Sequence, residues 1–387
     1  MLQRCVTRGQ GADNGAALIV DARGVKVHLD MPEEKRRLLQ LQPGWVVHRH
    51  LRAGDRVVMN RQPTLHRGSM LSFKVCPWPE LAIGMNPVTA KPFNFDYDGD
   101  EMNMHAPQSV EMQAEAMVLM DATQHQISAS RNRLLIGPVQ DSLVGAYFLS
   151  LEDCRVSQGR ATYMWMRMCF PHRPLGPPTL PGGMYRGRDL IRCMLPKTLW
   201  LRCAGVVIER GELVSGHLTR KSAGTGTGGI AHTLALDYSL QAAAEYSADL
   251  QRVACEYTRG HGCTVGIGDC AMPPEVARKR VALKHAMLEK VRSIYDAAQQ
   301  EGRDPFKDQV IEGAVQRVCG SALGVAGDLV LAEMPADNGV RLLSDTIASK
   351  VRAQTNPNLI AHATTTRGRL RGWGSPVGGW MARLACQ

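Results

Sequence analysis

The sequence predicts an α+β fold, with short strands in roughly the first hundred residues and long helices near the end. Three observations carry this. Residues 17–32, 44–59 and 69–78 alternate apolar and polar side chains over short stretches broken by Gly and Pro. Val276, Leu283, Met287, Val291 and Ile294 recur at helical spacing between Pro274 and Gln300. The composition, 44% hydrophobic and 21% charged over 387 residues, is that of a folded protein and not of a disordered, collagen-like or coiled-coil chain.

The elements follow in order. Residues 17–32 read as strands around Arg23-Gly24, and residues 44–59 repeat the pattern with Gly54-Asp55 at the turn. Residues 69–78 add another strand, and short strands with marked turns suggest a barrel. Ser109 suits the N-cap of a helix over 109–121, whose methionines read as core filler. Residues 155–200 mix Pro, Gly and basic residues and read as a loop-rich connection. A hairpin over 205–218 would turn at Arg210-Gly211, and a helix would cover 234–257. Pro274 suits the first turn of the next helix and Gly302 its stop. After Asp345 no acidic residue remains, while six basic ones do, so 346–387 reads as a basic tail.

Charge and cysteine usage narrow the class. Lys+Arg 46 against Asp+Glu 36 gives +10, a modest excess that suits a polyanion partner. No run of about 18 apolar residues suggests a membrane span. The first residues lack the apolar core of a secretory signal. The 11 cysteines include no C-x-x-C pair, so no zinc site is expected, and reduced thiols in an intracellular protein fit best.

The sharpest local feature is the run Asn94 to Glu101, in which Asp96, Asp98 and Asp100 stand at i, i+2 and i+4. On an extended strand these share one face, and Gly99 allows the tight bend that would converge them. Converged carboxylates repel unless a cation sits among them, and hard oxygen ligation with open positions suits Mg²⁺. An acidic surface turn is the bland alternative. A calcium loop fails on spacing, because it needs a Glu six residues after its Gly, where His105 stands.

A second motif changes the weight of the first. Met59-Asn60-Arg61-Gln62-Pro63-Thr64-Leu65-His66 precedes the acidic run, which continues through Met102-Asn103. The pair resembles the N-R-Q-P-T-L-H and N-A-D-F-D-G-D-E-M-N motifs of the largest subunit of multisubunit DNA-dependent RNA polymerases. Residues 44–51 are similar to that family's lead-in to its catalytic barrel. Downstream, Asn132 to Asp141 is similar to its N-K-P-x-M-G-I-V-Q-D. Gly211 to Gly216 resembles the pore hairpin, Gly228 to His232 the segment after it, and Gly262 to Asp269 the entrance to the funnel. Pro77-Trp78 and Pro107-Gln108-Ser109 resemble the RNA polymerase II type and its relatives in large DNA viruses.

The resemblance implies a double-psi β-barrel catalytic domain over 1–110. A mixed α/β pore region over 111–270 and a helical funnel region over 271–345 would follow. It implies that Asp96, Asp98 and Asp100 hold a permanent Mg²⁺, with a second Mg²⁺ arriving on the nucleoside triphosphate. Arg61 and Asn94 match residues that contact the incoming ribose, while Gln62, Pro63 and His66 would hold the loop in shape. The implied activity is DNA-directed RNA synthesis, transferring nucleotides to an RNA 3′-hydroxyl. It would occur only in a complex with the second-largest subunit, other subunits, template DNA and product RNA, away from membranes. The setting would be intracellular: a nucleus, or a viral factory or virion. An assembly-only fragment and a single-chain silencing-type polymerase are the alternatives. Two positions depart from the family: its small Ala is Phe95 here and its Phe is Tyr97. Over-packing by Phe95 would cost about 1–3 kcal/mol and could shift the loop. The family chain is far longer, so this one reads as a middle segment, without the clamp, bridge helix or trigger loop.

Overall fold

The computed structural model describes residues 1–11, 14–77, 79–270, 274–300, 305–335 and 338–346. Trp78, Gly302 and all but the first residue of the expected basic tail lie outside them. The chain forms two units, one of residues 1–137 with 234–244, the other of 138–233 with the rest.

In the first unit, α1 (Leu2–Arg8) precedes β1 (Ala16–Val20) and β2 (Lys26–His28), which pair antiparallel around the expected Arg23-Gly24 turn. A short α2 (Glu33–Leu38) leads to β3 (Val46–Arg49), which pairs with the other edge of β1, giving the order β2-β1-β3. Cys5, Val6, Ala16, Ile19 and Leu29 form the core beneath this sheet, with Trp45 and Val47 against them. β4 (Arg56–Asn60) joins β5 (Met70–Lys74) and β6 (Asn103–His105) in a second antiparallel sheet, ordered β5-β4-β6. The turn at Gly54-Asp55 is real, with Gly54 at φ +89°, yet its flanking strands belong to different sheets. An Arg49–Asp55 ion pair at 2.5 Å ties the end of β3 to this turn.

Two helices flank the second sheet. α3 (Ala90–Phe93) is one turn long, and α4 (Val110–Val118) starts at the expected cap, where Ser109 Oγ accepts from Met112 N at 3.1 Å. Val57, Met59, Leu71, Val88, Phe93, Phe95, Ala122 and Ile136 form a buried cluster.

In the second unit, α5 (Asp141–Ser150) is followed by β7 (Arg155–Ser157), α6 (Gln158–Met166), β8 (Met184–Arg186) and α7 (Gly187–Cys193). The stretch 155–200, expected as loop, therefore holds two helices and a β-ribbon. Its buried Ala161, Met164, Leu190 and Ile191 give it a core, and Pro and Gly concentrate between α6 and β8. Gly187 starts α7 because a Cβ there would meet the Leu149 carbonyl oxygen at 2.2 Å, so α5 and α7 touch through backbone. β9 (Leu201–Cys203), β10 (Val206–Glu209) and β11 (Glu212–Ser215) form a third sheet in the order β11-β10-β9. Its β10–β11 hairpin turns at Arg210-Gly211 as expected.

After α8 (Ile230–Thr233), the helix expected from 234 begins later. Leu234–Tyr238 is a π turn, and α9 runs Leu240–His261. α10 spans Pro274–Gln300 as expected and packs on α11 (Pro305–Glu333) through Met287, Val291, Val315 and Cys319. Residues Gln309–Glu333 are long and apolar enough to cross a membrane by length and composition, a stretch not anticipated from the sequence. Core helices of soluble proteins pass the same test, and Val330 of this stretch packs with Val276 of α10. α12 (Gly339–Thr346) closes the described chain.

Candidate metal centre

Two chain segments some forty residues apart build the site, and β-pairing brings them together. Met59 pairs with Met104 and Asn60 with Asn103 in the β4–β6 ladder. Antiparallel register then sets the residue after β4, Arg61, beside the residues before β6, which are the acidic loop. The segment leaving β4 is held by its own polar contacts. The buried Asn60 side chain donates to Thr64 Oγ1 at 2.8 Å and to the Ser69 carbonyl at 3.0 Å. His66 Nδ1 accepts from Gly68 N at 3.1 Å, capping the turn at Arg67–Ser69, so His66 shapes the loop as expected.

The acidic loop is anchored by its aromatics. Phe73, Phe93, Phe95 and Tyr97 form a ladder with ring centroids 6.1, 6.4 and 5.5 Å apart. Phe95 is buried with Phe93 in the core, so the bulk that departs from the family pattern points inward and packs. Tyr97 is exposed and its hydroxyl donates to the Met85 carbonyl at 3.0 Å. Both aromatics alternate with the aspartates, as the sequence suggests.

The three aspartates converge on the surface. One carboxylate oxygen from each of Asp96, Asp98 and Asp100 lies within 4.8 Å of the others, and they form the metal-competent group among the described residues. They do so on a bend, not on an extended strand: Gly99 adopts φ +114°, a region open to Gly, and turns the chain between Asp98 and Asp100. Asp96 N donates to Asp100 Oδ2 at 3.2 Å across that bend.

Charge is uneven across the three. A hydrogen bond to Asp96 and the charges of Asp96 and Asp100 push the Asp98 carboxyl above the ordinary range. Arg61 does the reverse to Asp100: its hydrogen bond, and then its charge, hold that carboxyl below the ordinary range. Arg61 Nε lies 2.9 Å from Asp100 Oδ2, and Nη1 donates to the Phe93 carbonyl at 3.4 Å. The expected ribose-contacting arginine is thus bonded to a member of the triad. Sequence reasoning missed this pair, because the only signal is the register of a three-residue strand.

Asn94 is placed at the C-terminus of α3 in the left-handed region, φ 51° and ψ 40°, which Asn tolerates. Its side chain is exposed and forms no hydrogen bond among the described residues. The structure brings Arg61 to the triad and sets Asn94 two residues ahead of it, at the loop's start.

The arrangement suits a hard divalent cation. Its donors are all oxygen, and the loop is exposed, so water or a phosphate can fill further positions. Oxygens bound to octahedral Mg²⁺ stand about 3 to 4.2 Å from one another, so the three carboxylates would draw together on binding, as an exposed loop allows.

Comparison with known proteins gives two adjoining family matches. Residues 1–122 match the model of RNA polymerase Rpb1, domain 2, and residues 125–270 that of RNA polymerase Rpb1, domain 3. The DNA-directed RNA polymerase subunit Rpo1N of Methanothermobacter thermautotrophicus is 29% identical over 348 residues, covering 84% of this chain and 39% of that relative. The subunit of the same name from Halobacterium salinarum is 30% identical over 356 residues, covering 87% of this chain and 36% of its own length. The chain thus spans little more than a third of the length of these relatives.

Proposed function

The chain belongs to the family of the largest RNA polymerase subunit, and on that premise we propose that it carries the Mg²⁺-binding catalytic loop of a DNA-directed RNA polymerase. The observation that carries the proposal is the convergence of Asp96, Asp98 and Asp100 within 4.8 Å on an exposed loop. In this reading the two sheets of the first unit belong to a double-psi barrel over 1–110. Residues 111–270 form the pore region and 271–345 the funnel region.

Each residue then has a task. Asp96, Asp98 and Asp100 would hold the cation. A bound Mg²⁺ supplies Lewis-acid stabilisation of the transferring phosphoryl group and lowers the pKa of the attacking 3′-hydroxyl. Arg61, planar and permanently charged, would donate hydrogen bonds to an incoming nucleotide's ribose, and Asn94 at the loop's start would contact the same ribose. No protein nucleophile is required, since phosphoryl transfer depends on positioning and charge. A second Mg²⁺ would enter with the triphosphate. The activity would need the second-largest subunit, other polymerase subunits, template DNA and product RNA. The archaeal relatives support an intracellular setting.

The test is iron-mediated hydroxyl-radical cleavage in the assembled enzyme. Fe²⁺ replacing Mg²⁺ is expected to cut the chain near residues 94–101. Asp98→Asn is expected to abolish both the cuts and RNA synthesis without lowering the melting temperature, because the side chain is exposed. Absence of cleavage in this loop would sink the proposal.

A further inference from the structure

The second unit holds a cleft of about 590 Å³ along the β9-β10-β11 sheet, a size typical of small-ligand sites. We propose that it binds a phosphate monoester joined through a sugar to a planar base, the chemistry of a nucleoside monophosphate. Nothing in this inference depends on the metal loop.

Charge points to an anion. Arg173, Lys197 and Arg210 line the cleft together with Glu209 and Glu212. Both acids are already matched: Glu212 lies 3.5 Å from Arg173 and 3.7 Å from Arg192, and Glu209 lies 3.7 Å from Arg202. Lys197 and Arg210 form no ion pair among the described residues. Arg173 is nine-tenths buried, and its Nε has no acceptor among the described residues. Unmatched cations in a concave wall favour a multiply charged group with several acceptor oxygens, which describes a phosphate monoester.

The cationic wall is also rigid. Arg173 donates to the Arg210 carbonyl, and Trp165 Nε1 donates to the Arg173 carbonyl at 3.3 Å. Gly211 sits at φ +70°, and a Cβ there would meet the Pro196 carbonyl oxygen at 2.2 Å. The turn that presents Arg210 is therefore pressed against the chain beneath it. A site fixed before binding loses less entropy on binding.

The planar ring follows from Trp200. It lines the same cleft yet is 59% exposed, and its neighbour in the lining, Val214, is 52% exposed. An indole held open beside unpaired cations is a stacking surface for a flat ring whose phosphate reaches those cations.

The full chain is titrated by calorimetry with AMP, adenosine and inorganic phosphate in EDTA, which keeps the aspartate triad out of the measurement. AMP is expected to bind about tenfold more tightly than either part alone. Lys197→Glu with Arg210→Glu is expected to weaken AMP by about tenfold or more. Trp200→Ala is expected to weaken AMP and leave phosphate unchanged, while Trp200→Phe retains AMP and shows that the fold survives. AMP binding no tighter than phosphate overturns the proposal, as does AMP binding unchanged in the charge-reversed variant. A ten-nucleotide RNA that binds where AMP does not also overturns it, in favour of a polynucleotide.

Discussion

Arg61 and Asp100 form the contact on which the charge of the triad turns. Asp100 is held ionised by Arg61, while Asp98 is pushed toward its neutral form by its acidic neighbours. Arg61 thus competes with any cation for one ligand. Arg61→Met is expected to tighten Mg²⁺ binding by a few-fold while lowering nucleotide incorporation in the assembled enzyme. Weaker Mg²⁺ binding in that variant would mean that Arg61 positions Asp100 more than it competes for it. Phe95 poses a different question, since its bulk threatened the loop on sequence grounds. It is 8% exposed and packs among Val88, Phe93 and Leu71. Phe95→Ala, which restores the family's small residue, is expected to destabilise the first unit by about 3–5 kcal/mol. Chemical denaturation measures this, and an unchanged midpoint would show that the ring lies outside the core.

At the scale of elements, one ion pair joins β3 to the turn before β4. The hydrogen bond from Arg49 is the largest influence on Asp55 and holds its carboxyl below the ordinary range. A depressed carboxylate pKa adds stability above the unfolded value, about 3.9, and loses it as pH falls through the folded value. Arg49→Met is therefore expected to destabilise by about 1–3 kcal/mol at pH 7, and by progressively less below about pH 4. Unfolding curves at both pH values check the sign, and a difference that grows in acid would contradict it. The elements that sequence reveals are those long enough to show a period. The 27 residues of α10 and the cap at Ser109 were legible for that reason. Three-residue strands such as β6 and β7 carry too little alternation to read. The helices of Gln158–Met166 and Gly187–Cys193 were hidden by Pro and basic residues around them. At the site, the aspartates were legible because their chemistry is written in five consecutive residues. The Arg61–Asp100 pair was not, because it depends on β4–β6 register.

For the whole molecule, the chain covers little more than a third of its relatives. Large apolar side chains stay on the surface of α4 and its C-cap, among them Val110, Met112, Val118 and Leu119. If the chain works as part of a multisubunit enzyme, a tagged copy is expected to co-purify with the second-largest polymerase subunit from the source cells. Recovery without that subunit would favour an assembly-independent role. The β4–β6 ladder has one more consequence. Arg61 and the triad meet only when the central strand β4 of the first unit's second sheet has paired with its edge strand β6. The acidic loop cut out as a peptide would keep its aspartates and lose the partner that sets their charges. Cation affinity would therefore gauge maturation: before the long-range pairing the loop meets a cation without Arg61 in competition, and afterwards the arginine tempers it.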